Sequence, residues 1–293
     1  MFPFRRRRTF DPVGRDGLAR ALSEATFELL PLKSGDAQSA FVPDGTWVSV
    51  TASPSKGLEA TVELALTLEA RGYRAIPHLS ARMVRDRAHL RDLLGRLTDG
   101  GVARAFVVGG DSAESGEYPD GLSLLRAIAD LGVVLSNVGI PCYPEGHAFI
   151  PDDRLLQSLV EKAPFAHYMT TQLCFDPGAI RTWIAARRAE GLLLPVQIGV
   201  AGAVEPHRLI AISAKIGVRD TGRFLMKNLG FVGRLLRAGG YYRPDGLLDE
   251  LAPLFGDPVA DVRWVHLYTF NQVETTDAWR RRYLESLLVR QPA

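Results

Sequence analysis

The sequence predicts a (β/α)8 barrel, and three observations predict it. Short apolar runs of strand length recur eight times between residues 26 and 271. Longer segments with apolar residues at helical spacing separate most of them. The runs are continuously apolar rather than alternating, as expected of parallel strands buried on both faces. Eight such units suit a closed barrel better than an open doubly wound sheet.

In chain order, the first two runs are "TFELLPL" (26–32) and "TWVSVTA" (46–52). Val62, Leu64, Ala65 and Leu68 then mark one face of a helix that ends at Gly72. "AIPHLSA" (75–81) precedes a helix across 85–97, and "ARAFVVGGD" (103–111) a helix through 122–131. "VVLSNVGIPCYPE" (133–145) leads to a helix across 155–162, and "HYMTTQLCFD" (167–176) to one through 180–190. "PVQIGVAG" (195–202) is followed by a helix across 208–216. An extra segment, 218–260, carries a helix around 231–238 before the last strand, "VRWVHLYTFN" (262–271), and a helix from about Thr276. With no linker to divide it, 26–293 reads as one catalytic barrel and 1–25 as an N-terminal arm.

The 293 residues are 46% hydrophobic and 23% charged with a formal charge of +2, which argues against broad attraction to nucleic acid or membranes. Cys142 and Cys174, the only cysteines, form no CxxC pair, so neither a disulfide framework nor a zinc site is expected. The run Arg5–Arg8 reads as a solvated tail, with no long apolar stretch behind it to make a secretory signal. No segment approaches the roughly 20 apolar residues of a membrane span. A cytoplasmic protein is expected, and a homo-oligomer is compatible with the sequence.

In such barrels the chemistry gathers where strands run into their following loops. Those positions hold Glu28, Thr51, His78, Gly109, Gly110, Asp111, Tyr143, Glu145, His147, Thr171, Gln172, Asp176, Tyr268 and Asn271. Glu28, set between apolar residues, is either a salt-bridged barrel-end carboxylate or a partly desolvated acid able to give up a proton near neutrality. Asp111 either caps the next helix or orients a flat ligand that the small Gly109 and Gly110 let approach. His78 and His147 have no third residue at metal-like spacing, so no metal is expected. Gln172 suits the amide edge of a heterocycle, or equally a backbone partner.

The order of motifs resembles the methylenetetrahydrofolate reductase family. "FELLP", "VSVT", "PHLS", "VVGGD", "YPEGH", "TTQLCFD" and "HLYTFNQ" are similar to that family's strand ends, in order, from Glu28 to Gln272. The resemblance implies reduction of 5,10-methylenetetrahydrofolate to 5-methyltetrahydrofolate, with hydride from NAD(P)H carried by FAD or passed directly. It implies Glu28 and Asp111 as catalytic residues and Gln172 as the folate contact. Thr51, His78, Gly109, Gly110, Asp111, Tyr143 and His147 would line the flavin. The chain departs from the pattern at Gly109, where the family has arginine, and at Gln272. The helix with Arg154, Gln157 and Lys162 and the position near Ile212 also differ, so fewer cations meet a flavin's phosphates. A folate-binding barrel without turnover and a corrinoid-linked folate methyltransferase are the alternatives.

Overall fold

The eight apolar runs become eight parallel strands, hydrogen-bonded in chain order and closed from β8 back to β1. They are β1 Thr26–Leu29, β2 Trp47–Val50, β3 Arg74–Ser80, β4 Arg104–Val108, β5 Asn137–Cys142, β6 Tyr168–Thr171, β7 Val196–Ala201 and β8 Val262–Tyr268. The expected (β/α)8 barrel is the fold of this computed structural model, which describes residues 11–147, 149–205, 209 and 241–289. Five helices match expected ones closely: α3 Gly57–Ala70, α4 Arg87–Asp99, α5 Gly121–Asp130, α6 Asp152–Lys162 and α7 Pro177–Ala189. The last helix, α9 Val273–Leu288, also stands where one was expected. The expected helices across 208–216 and around 231–238, like Arg5–Arg8 and Ile212, lie outside the described residues, except that Leu209 is helical.

The helices pack apolar stripes against the outer barrel face. On α4, Leu90, Leu93, Leu94 and Leu97 recur at three- and four-residue spacing and are fully buried. Three helices escape the sequence pattern: α1 Pro12–Ser23, α2 Lys33–Ser39 and α8 Asp245–Leu251. Helix α1 occupies much of the segment expected as an arm. Asp11 caps it through Gly14 N, and the buried Arg280 of α9 donates to Leu22 O at 3.1 Å. The run 133–145 yields a shorter strand than it suggests, because Val134 is 85% exposed and pairing begins only at Asn137.

Inside the barrel, strand alternation selects every second residue. The interior is more polar than the branched aliphatic layers usual for this fold. Thr170 donates to Gln197 Oε1 at 2.8 Å, and Gln197 Nε2 donates to Thr26 Oγ1 at 2.9 Å. At the N-terminal end Trp47, Ile76, Phe106, Tyr168 and Trp264 pack together. The guanidinium groups of Arg74 and Arg104 lie over the Trp47 ring at 5.2 and 5.4 Å.

Candidate functional site

Glu28 is the third residue of β1, and parallel pairing sets it beside Ser49 of β2 and Tyr268 of β8. Its carboxylate is buried inside the barrel, with Oε2 3.3 Å from His266 Nε2 and 4.0 Å from His78 Nε2. His78 Nε2 also lies 2.7 Å from Ser49 Oγ, and the ring packs on Phe106 at 4.8 Å. Burial lowers the His78 pKa to about 4, outweighing the opposite pull of Glu28 and reinforced by His266. A neutral His78 spends Nε2 on its close bond with Ser49, which leaves Glu28 to His266. Tyr268 closes the cluster: its ring is 4.7 Å from His266, and its hydroxyl donates to Thr171 O at 3.0 Å. Sequence reasoning missed His266 and Ser49. Both could have been found by alternation, since Trp264, His266 and Tyr268 share one face of β8.

Above this cluster lie the ends of β2, β3 and β4. Thr51 Oγ1 and Ser80 Oγ are buried without a hydrogen-bond partner. Gly110 has φ +90°, and a Cβ there would stand 2.0 Å from Ser80 Oγ, so only glycine fits. At Gly109, by contrast, the nearest heavy atom to an added Cβ is Gly121 N at 3.9 Å. Asp111 is exposed and does not cap the next helix; Asp120 does that, accepting from Ser123 N at 2.8 Å. Apolar β4 thus ends at two glycines that keep the backbone bare, with a carboxylate turned to solvent.

The remaining expected residues sit in the loops after β5, β6 and β8, with Tyr143 and Glu145 lining a groove between α6 and α7. Tyr143 and His147 form their own edge-to-face ring pair at 5.6 Å, and burial pushes the Tyr143 hydroxyl up to about 12. His147 Nδ1 accepts from Phe149 N at 3.2 Å. Gln172 accepts from Leu173 N at 2.8 Å through its amide oxygen, the backbone partner that was one of its two expected readings. Glu145 Oε1 accepts from Phe175 N at 2.6 Å and Asp176 N at 2.7 Å, tying the loop after β5 to the loop after β6. Asp176 caps α7 through Gly178 N. Asn271, at φ +56°, accepts from Leu30 N at 2.9 Å and joins the end of β8 to that of β1.

Among the described residues no group of three or more His, Cys, Asp or Glu side chains could hold a metal ion. No helix among them is long and apolar enough to cross a membrane. The residues expected to line FAD suit one part of it only. Thr51 offers a buried hydroxyl and Gly109 an open backbone face to a flat ring, but the set holds no lysine or arginine for a dinucleotide's phosphates.

No family model matches the chain. Similar solved structures include a Burkholderia cenocepacia protein suggested to be a lyase or mutase, at 15% identity and a TM-score of 0.44 over 93% of this chain and 87% of that one. Concanavalin B matches at 10% identity and 0.47, over 90% of this chain and 99% of that one. A suggested phosphonomutase of B. cenocepacia matches at 15% and 0.41, over 76% and 98%. These likenesses concern the barrel and bring no substrate to this chain. The function expected from the motifs is corrected to this extent: two of these structures are described as a lyase or mutase and a phosphonomutase, none of the three as a methylenetetrahydrofolate reductase, and the folate-reducing reading gains no support. The folate-reducing activity is not carried further.

Proposed function

We propose that this protein is an enzyme that moves a proton to or from a small organic molecule bound at the C-terminal mouth of the barrel, with Glu28 as the proton carrier. The observation that carries the reading is the buried Glu28 carboxyl, flanked at 3.3 Å by His266 and at 4.0 Å by His78, at the barrel end where Thr51 and Ser80 keep buried hydroxyls without a partner. A buried carboxylate is costly to keep unless it is paired or used. Here it meets a single imidazole at hydrogen-bond distance, which suits a group that exchanges its proton.

The ligand class follows from the rim. Glycine backbone admits a flat ring, Thr51 and Gln172 offer hydrogen bonds to its edge, and Asp111 adds an acceptor at the exposed side. FAD and NAD(P)H carry such rings and belong in the first binding panel with simpler heterocycles.

The test is a solvent-exchange screen. Compounds that raise the melting temperature are incubated with the protein in D2O and followed by mass spectrometry. At least one should take up deuterium at a catalysed rate, and Glu28→Gln should slow that uptake by roughly 10²–10⁴-fold while binding survives. Uptake by Glu28→Gln at the wild-type rate, per folded molecule, removes the assignment.

A further inference from the structure

A cavity of about 410 Å3 lies outside the barrel, between α6 and α7 under the loop that follows β5. Helix α5 packs against α6, whereas α6 and α7 stand apart across this groove. Leu155, Leu156 and Leu159 share one face of α6 and make one wall, and Trp183 of α7 makes the other. Arg187 follows Trp183 by four residues on the same face of α7, which puts it at the lower end. The carboxylates of Glu145 and Asp152, at the upper end, select nothing. Glu145 Oε1 already accepts from Phe175 N at 2.6 Å and Asp176 N at 2.7 Å, and Asp152 has a partner of its own.

What the groove leaves open is Arg187. Its Nη2 donates to the Glu190 carboxylate at 2.7 Å, and its guanidinium lies 5.4 Å from the Trp183 ring centroid. Its Nε is buried and has no hydrogen-bond partner. The next residue is treated differently: Arg188 spends its guanidinium on the backbone oxygens of Leu192, Leu194, Val259 and Ala260. A buried N–H on a charged group is costly to leave without an acceptor. At Arg187 that donor borders an apolar slot.

We propose that this groove is a second binding site, for a neutral, largely apolar ring compound that carries a carbonyl group. The volume falls in the range of small-molecule sites, roughly 300–1,000 Å3. A slot with leucines on one side and an indole on the other fits a planar ring. The carbonyl oxygen accepts from the Arg187 guanidinium, a charge-assisted bond and so stronger than one between neutral groups. An anion is disfavoured, because Glu190 already balances Arg187 and two more carboxylates stand at the upper end. A ligand that must donate finds those carboxylates taken. The inference stands independently of the role given to Glu28.

The test uses prodan, a neutral naphthyl ketone dye whose emission moves to the blue when it leaves water. Titrated with the full chain, it should bind with Kd below about 200 μM, a modest demand for a ligand of its size. Trp183→Leu and Leu156→Arg should each weaken binding at least tenfold, with circular dichroism confirming the fold. Leu156 is only partly buried, so Leu156→Arg blocks the slot without opening the core. Arg187→Met keeps an apolar stem beside Trp183 but removes the donor, and should weaken binding at least fivefold. Glu28→Gln should leave the affinity unchanged. As competitors, 2-acetylnaphthalene should displace the dye at least tenfold better than naphthalene-2-carboxylate, its anionic counterpart. No blue shift at about five times the stated concentration would overturn the proposal. So would binding indifferent to the two wall substitutions or to Arg187→Met, or an acid that competes as well as the ketone.

Discussion

At the N-terminal end of the barrel, Trp47, Tyr168 and Trp264 close the interior and arginines stack on their outer faces, leaving a cavity of only about 60 Å3. Just inside it, Thr170, Gln197 and Thr26 pass hydrogen bonds from one to the next. The C-terminal half holds a buried carboxylate between two imidazoles and two buried hydroxyls, Thr51 and Ser80, with no partner. One end is filled and satisfied; the other keeps costly groups in place. The difference teaches where the proposed chemistry would sit, and it agrees with the general division of this fold into a stabilising bottom and a reactive top.

The sharpest way to break that contrast is to empty the filled end. Tyr168→Ala removes a buried ring from the aromatic plug and should cost about 3–5 kcal/mol, the range for large aromatic truncations. Urea unfolding measures it, and a loss below 1 kcal/mol would mean that the plug is not a stability element.

A smaller effect comes from His78. Its folded pKa of about 4 lies below the ordinary value of 6.5, so the unfolded chain binds the proton first as pH falls. Stability should therefore decline from pH 6.5 to about 4 and level off below, by at most about 3 kcal/mol from this group. His78→Asn should flatten that part of the profile. An unchanged pH slope in the variant would show that His78 titrates normally.

The buried, unpartnered hydroxyl of Thr51 gives a still smaller effect with a telling sign. Thr51→Val removes a buried oxygen that bonds to nothing and should raise stability by about 1 kcal/mol, while weakening any ligand bound at the mouth. A destabilised Thr51→Val would place the hydroxyl among the structural bonds after all.

The barrel was legible because its signal is repeated. Eight apolar runs each had to find a buried slot, and their order fixed the closure. Helix α1 was hidden because Gly14 and Gly17 lower its helix propensity. Both are there for contact: an added Cβ would stand 2.6 Å from Ala252 O and 2.2 Å from Phe255 O. The site was legible in part. Glu28 and His78 were visible as polar residues inside apolar strands, whereas His266 was passed over beside the more conspicuous Tyr268. Whether Asp111 capped a helix could not be read locally, since that depended on the helix starting at Gly121, ten residues on. The activity was least legible. Short strand-end motifs report the shape of a barrel mouth, and such mouths serve many chemistries.

The central claim is that Glu28 is kept for proton transfer and not for the fold. The direct measurement is equilibrium unfolding of Glu28→Gln beside the wild type at pH 7. The amide keeps the shape and can still bond His266, while the cost of burying a charge disappears. The account predicts stability within about 1 kcal/mol of the wild type, or higher. A loss of about 3–5 kcal/mol, the usual penalty for breaking a buried ion pair, would contradict it and make Glu28 a structural partner of His266.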